Sequence, residues 1–314
     1  MLFVNPPEKE IKFVKNQIIR LCASDYGRRI VSSLTFFQDK CSLQKEIDKI
    51  KKVKTLLEDY KHLESIPISF IDDILMKIEK VVFLTEDEAG KIYTTLKAIE
   101  FYIKSFLELK IIGNIFDDKI RYNLLFETLE LMGRFFTQNG YIKNNATKEL
   151  KEILDTKESI KEKIHKVIDN IFLHKRKILQ DDFFVFRDGR YVLPVKASFK
   201  KDFGGIVRDT SQSSDTLFME PFEITNLNDE LIILKKMEDR EKNRILKLIT
   251  EELKNYYRDL LKILEIYGLW DSYIARIKYM EKFKLTFPEI SDNDIYLKDA
   301  IHPLLFDKNP VPND

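Results

Sequence analysis

Six cations crowd the middle of this 314-residue chain: Arg187, Arg190, Lys196, Lys200, Lys201 and Arg208. Between Phe184 and Arg208 they meet only two acidic residues, Asp188 and Asp202. Lysine and arginine at that density suit phosphate contacts, which supply most sequence-independent affinity for nucleic acid. No set of side chains for reading base edges accompanies them, so recognition of backbone or shape is expected over sequence readout. Over 181–223 the same six cations meet eight acidic residues, so the positive character is confined to the first half. A structural reading competes with the functional one. Arg187 and Arg190 flank Asp188-Gly189 and can pair with Asp182 or Asp188 to hold a tight turn.

Other chemistry is missing from the sequence. No G-x-x-x-x-G-K-[ST], H-E-x-x-H, G-x-S-x-G or glycine-rich dinucleotide loop occurs. Gly90-Lys91 comes nearest to a phosphate loop, but it lacks the upstream glycine and falls in a helical pattern. His62, His165, His174 and His302 are scattered and read as surface or packing residues. Cys22 and Cys41 are far apart, without neighbours at metal-ligand spacing, and read as free, reduced thiols of a cytoplasmic protein. The acidic pairs Asp72-Asp73, Asp117-Asp118 and Asp181-Asp182 read as solvated faces. Ser211, Ser213 and Thr216 lack a nearby histidine, which argues against a nucleophile. No catalytic residue and no metal site is expected in this stretch.

Composition points to the elements that must position the cations. Charged residues make up 33% of the chain and hydrophobic ones 44%, with only 9 Gly and 9 Pro, which favours long, salt-laced helices. The net charge of +1 creates no global field for polyanions. No apolar run is long enough to span a membrane, and MLFVNPPEKE lacks the charge-then-apolar order of a signal peptide. Helical periodicity predicts helices near 8–22, 26–37, 42–62, 118–137 and 146–180, and one opening at Thr85-Glu86-Asp87-Glu88. From Glu223 a helical stripe continues for about 60 residues, with Gly268 as its expected interruption. Between the last two helical stretches, Phe183-Phe184-Val185-Phe186 and Tyr191-Val192-Leu193-Pro194-Val195 flank Asp188-Gly189, a hairpin signal. Pro194 would remove a ladder donor, which predicts an edge strand or a bulge. Two further strands follow Gly204-Gly205. The expected fold is mainly α: a helical core, long antiparallel helices, and a small antiparallel β insert at their tip.

Two blocks resemble a known family. One is Phe186-Arg187-Asp188-Gly189-Arg190-Tyr191-Val192-Leu193-Pro194-Val195-Lys196. The other runs from Gly205 through Asp209-Thr210-Ser211 to Thr216-Leu217-Phe218-Met219-Glu220-Pro221. Both resemble the second bacterial branch of the MutS proteins, the paralogue without mismatch-reading domains. Arg20-Leu21-Cys22-Ala23-Ser24 with Gly27, Gln138-Asn139-Gly140-Tyr141, Asn226-Leu227-Asn228-Asp229-Glu230-Leu231 and His302-Pro303-Leu304-Leu305 fit the same family in order. Where the family usually reads S-x-S-G-x-T, this chain has Ser214 in place of the glycine.

The resemblance implies a helical core over 1–145 with 286–314 returning to it. It implies lever helices over 146–182 and 222–285, and a clamp over 183–221 that closes on nucleic acid. It implies no cofactor within this stretch, but ATP and magnesium for an ATPase domain and a small MutS-related nuclease domain beyond it. The chain's stop at Val311-Pro312-Asn313-Asp314 is expected to be a cut between domains. The implied parent is a homodimer that suppresses homologous recombination by acting on branched DNA. The alternative is a dimerisation scaffold that contacts the ribosome or its RNA and splits collided ribosomes.

Overall fold

A computed structural model describes residues 8–116, 119–291 and 296–308. The segment 1–7, the Asp117-Asp118 pair and the closing Val311–Asp314 lie outside the described residues. Ten α-helices and one four-stranded antiparallel sheet are present among the described residues, so the fold is mainly α with a small β insert, as the sequence pattern predicts; the short helices at Asp72–Lys77 and Lys200–Phe203 are not among those it predicts. The chain divides into two compact units.

The first unit comprises Met1–Val82, Asp87–Gly133 and Thr250–Asp314. Its helices are α1 (Glu8–Ile19), α2 (Asp25–Ser33), α3 (Lys40–Asp59), α4 (Asp72–Lys77), most of α5 (Glu86–Glu108) and most of α6 (Asn123–Phe135). The core forms around a helix near the end of the chain (Tyr257–Lys282), which packs on α1, α2, α3 and α4. Its Trp270 is fully buried against Phe106, with ring centroids 4.9 Å apart, and donates Nε1–H to the Leu63 carbonyl at 2.9 Å. Tyr267 accepts from the Ile66 amide at 2.8 Å and donates to the Ile66 carbonyl at 2.7 Å.

Asp271 is completely buried there and forms no ion pair among the described residues. It accepts from the amides of Ala23 (3.0 Å) and Ser24 (2.8 Å) and from the hydroxyls of Ser24 (2.7 Å) and Ser65 (2.6 Å). Four donors replace the water that this carboxylate loses on burial. Ser24 also caps α2 by accepting from the Gly27 amide. A β-carbon on Gly27 would overlap the Asp271 carboxylate. The Arg20–Gly27 motif is therefore a docking point for a helix some 250 residues away (about that separation by sequence number). The same burial and the Asp271 charge push the Cys22 thiol up to about 12.

The second unit comprises Phe83–Glu86 and Arg134–Ile249. Two long helices frame it: α7 (Lys148–Lys175) and one spanning Phe222–Lys254, whose last turn falls in the first unit. Lys175 reaches Glu223, Lys157 pairs with Glu238 and Thr147 bonds Glu241, so the two helices run antiparallel. The insert between them holds β1 (Val185–Arg187), β2 (Arg190–Lys196), the short α8 (Lys200–Phe203), β3 (Gly205–Thr210) and β4 (Thr216–Pro221). The helices at Phe222–Lys254 and Tyr257–Lys282 are then α9 and α10. Sheet order is β1-β2-β4-β3, all neighbours antiparallel. Tyr191, Leu193, Val195 and Met219 pack with Ile160, Ile164, Ile168 and Ile171 of α7 and with Ile224 and Leu231 of α9.

Several expectations need correction. The break in the 60-residue stripe falls at Asn255-Tyr256, where 3.1 Å bonds to residues three back tighten the chain and Tyr256 sits at φ −135°. Gly268 lies inside α10 instead, in close contact with Tyr26. The expected 222–285 lever is thus two helices, and α10 packs in the first unit. Strand β2 is internal to the sheet, although Pro194 predicted an edge or bulge. Pairing with β1 ends at Val192, and the Pro194 carbonyl faces that open side to accept from Gln180 at 2.8 Å. A residue's nitrogen faces the same way as its carbonyl in an antiparallel strand, so no β4 ladder bond needs the missing N–H. The bulge is on β3, between Val207 and Asp209. Asp72 is buried, not solvated. It accepts from Tyr26 at 2.8 Å and pairs with Arg29.

Two expected outcomes follow. A β-carbon at residue 268 would lie 2.8 Å from Tyr26 Cβ and 3.0 Å from its carbonyl carbon. Gly268→Ala should therefore cost about 1–3 kcal/mol in urea unfolding, despite alanine's better helix propensity. In the second unit, burial pushes the Glu238 carboxyl up. Its bond to Lys157 and the charges of Lys157, Lys235 and Lys242 outweigh burial and hold it below the ordinary carboxylate range. A depressed folded pKa gives stability that is complete above the unfolded value of about 4.3 and lost as pH falls through the folded value. Unfolding measured against pH should show that loss below about pH 4, and Glu238→Gln should flatten it.

Candidate nucleic-acid interface

The hairpin that carries Arg187 and Arg190 forms as its residues dictate. Asp188 (φ 49°) and Gly189 (φ 80°) both occupy the left-handed region that a two-residue type I′ turn requires. Glycine takes that conformation without strain, and aspartate is among the residues that tolerate it. The turn lies along α9, where the Asn228 side chain accepts from the Tyr191 amide at 3.0 Å and donates to its carbonyl at 3.1 Å.

Three of the six candidate cations are committed to this architecture. Arg190 donates to Glu220 at 2.9 Å and to Asp229 at 2.5 Å, and only 17% of its side chain is exposed. Arg208, the bulged residue of β3, reaches the other Glu220 oxygen at 2.6 Å. Asn228 completes the set, donating to Glu220 at 2.8 Å. Glu220 is fully buried, and two guanidiniums and an amide satisfy it. Arg187 pairs with Asp209 and lies 3.7 Å above the Phe218 ring centroid. The pairings of Arg187 and Arg190 with Asp182 or Asp188 do not occur. Asp182 is taken by Arg176.

The remaining three cluster at another place. Lys196 donates to the Lys177 carbonyl at 3.0 Å, which sets the end of β2 beside the end of α7. Lys175 donates to the Phe203 carbonyl at 2.8 Å, which brings α8 there too. Lys200 and Lys201 are exposed on α8 and make no ion pair or hydrogen bond among the described residues. Lys177, also exposed, is equally uncommitted through its side chain. The structure therefore joins Lys196, Lys200 and Lys201 to the run His174-Lys175-Arg176-Lys177, which the sequence reading overlooked. The signal was available, because four consecutive basic or imidazole residues run from the last turn of α7 into the 3-10 turn Arg176–Ile178. Cations there also complement the helix C-terminus.

The neighbouring features are structural. Ser211 accepts from the Thr216 amide at 3.2 Å, and Ser214 bonds the Ser211 carbonyl at 2.9 Å, so the serines shape the β3–β4 turn. Ser214 stands at φ 62°, where a non-glycine residue is strained, so the turn keeps its form without the glycine. Among the described residues, no group of three or more His, Cys, Asp and Glu can hold a metal ion. No described helix is long and apolar enough to cross a membrane.

Comparison with known proteins accords with this geometry. No family model matches the chain. It is 30% identical over 320 residues to Endonuclease MutS2 of Halothermothrix orenii, covering 97% of this chain and 40% of that protein. Endonuclease MutS2 of Thermotoga maritima is 32% identical over 268 residues, 84% of this chain and 35% of its own length. That of Finegoldia magna is 27% identical over 311 residues, 96% and 39% respectively. A helical scaffold whose long antiparallel helices carry a small β unit, with relatives of this kind, is MutS-like. Within that class the chain belongs to the MutS2 family. It spans about two fifths of the length of the curated relatives it matches.

The Glu220 cluster makes a prediction that separates structure from binding. Glu220→Ala strands two guanidiniums and should cost about 3–5 kcal/mol, whereas Lys200→Ala should stay within about 0.5 kcal/mol. Denaturant midpoints check the sizes, and amide hydrogen exchange should place the Glu220 loss in β2 to β4.

Proposed function

We propose that this chain is the nucleic-acid-clamping region of a MutS-like, ATP-dependent protein that suppresses homologous recombination by acting on branched DNA. The observation that carries the reading is the cluster of Lys177, Lys200 and Lys201. Their chain segments meet where Lys196 bonds the Lys177 carbonyl and Lys175 the Phe203 carbonyl, and their side chains make no ion pair or hydrogen bond among the described residues. Exposed lysines that self-repel are stabilised by a polyanion, and each phosphate contact releases condensed counterions. The relatives' name, endonuclease, supports a nucleic-acid partner. Lysine contacts read phosphate and not base, so a branch would be told from plain duplex by its shape. In this reading α7 and α9 act as levers to the clamp, and the whole protein works as a homodimer in the cytoplasm.

ATP with magnesium, and DNA cleavage, belong in this proposal to the length that the chain does not span. The nearest match to a phosphate loop, Gly90-Lys91, does not fit a triphosphate. Gly90 and Lys91 lie inside α5, where the amides of a phosphate cradle would be consumed by the helical ladder.

The test uses the chain with Lys200→Glu and Lys201→Glu, titrated against a labelled four-way DNA junction, a duplex of equal length and a ribosomal RNA fragment. Affinity for the junction should fall by about tenfold or more at low salt, with a shallower salt dependence. Unchanged junction affinity would overturn the assignment. Preference for the RNA over the junction would replace it with the ribosome-contacting scaffold.

A further inference from the structure

The outer face of α9 carries a charge pattern that the tip does not use. Lys236, Arg240, Arg244 and Lys247 recur at spacings of four, four and three, which places them on one helical face. Ile233, Met237, Asn243 and Leu248 complete that face, and all eight residues are exposed. It holds no acidic residue over this span. Within the span Glu238 and Glu241 are buried on Lys157 and Thr147 and Asp239 pairs with Lys235, while the exposed Asp229 and Glu251 bound the face at its two ends, paired with Arg190 and Lys254. Arg244 is held by Glu241 at 2.7 Å. Lys236, Arg240 and Lys247 make no ion pair or hydrogen bond among the described residues. The exposed face of α7 differs, because there Glu149, Glu152, Asp155 and Glu162 intersperse with lysines.

We propose that this face of α9 is a second phosphate-contacting surface, and that its partner is double-stranded DNA. From Lys236 to Lys247 the helix advances about 16 Å, and duplex DNA carries one charge per roughly 1.7 Å of axis, so several phosphates fall within reach. A helix framed by a packed core presents its charges on a straight line, and a duplex is stiff over about 150 base pairs. Two rigid rows of opposite charge meet with little ordering cost. Lys and Arg can only donate, so Asn243 is the sole strong acceptor on the face for the proton of the ribose 2′-hydroxyl that distinguishes RNA. The inference rests on the reading that the chain binds nucleic acid, but on residues separate from the tip.

The experiment compares the chain, the triple variant Lys236→Gln/Arg240→Gln/Lys247→Gln, and a charge-matched control, Lys12→Gln/Lys45→Gln/Lys52→Gln, in the first unit. Glutamine keeps helix propensity, and circular dichroism checks the fold. Duplex DNA and duplex RNA are titrated at several salt concentrations. The stripe variant should lose about tenfold or more in DNA affinity, with a salt slope shallower by roughly two to three, while the control moves by less than one. A stripe variant that matches the control, a loss seen with RNA alone, or a change only in self-association by sedimentation would overturn the proposal. The Lys200→Glu/Lys201→Glu variant run in parallel separates the two readings. A stripe effect without a tip effect sinks the clamp assignment and keeps this one; the reverse does the opposite. A chain that binds no duplex at all sinks this proposal outright.

Discussion

The buried Glu220 carboxylate organises the β unit. A charge taken wholly out of water costs several kcal/mol unless it is matched. Arg190 from β2, Arg208 from the β3 bulge and Asn228 from α9 converge on it. Because these groups come from three elements, satisfying one carboxylate sets the hairpin, the bulge and α9 at once. Arg190 also holds Asp229, and Asn228 also clamps the Tyr191 backbone, so each partner is itself fixed. Blocks of sequence that look like binding motifs thus turn out to be largely the hardware of this one arrangement.

The first unit uses the same physics with different donors. Asp271 forms no ion pair among the described residues and is met by two amides and two hydroxyls. Close approach is enforced by glycine twice: Gly27 lets the carboxylate reach the α2 cap, and Gly268 lets Tyr26 sit against α10. Both units place polar groups where an apolar contact would tolerate slippage, because hydrogen bonds and buried charges specify a register that greasy surfaces do not.

Committing some charges inward defines those left for partners. Arg187, Arg190 and Arg208 direct their guanidiniums to Asp209, Glu220 and Asp229. Lys177, Lys200 and Lys201 at the tip, and Lys236, Arg240 and Lys247 along α9, meet no acid among the described residues. The arginines, with planar forks suited to carboxylates, do the internal work; most of the free charges are lysines, whose compact heads favour solvent. A near-neutral chain can in this way leave cations exposed and unpaired at two places among the described residues.

What the sequence determined alone is what local periodicity and local sterics encode. The helices, the Asp188-Gly189 turn and the continuous apolar strand at 191–195 were legible because each depends on neighbours within a few residues. The break at Asn255-Tyr256 was not, since no glycine or proline marks it and Gly268 offered a more conspicuous but wrong signal. The tolerance of Pro194 in an internal strand depended on where β1 ends. Above all, the fate of each cation was decided by tertiary structure. Arg190 meets Glu220 thirty residues on, and Lys175 meets Phe203 across the base of the insert. A charge's partner is set by distance in space, and only the folded chain brings those residues within the few ångströms over which an ion pair forms.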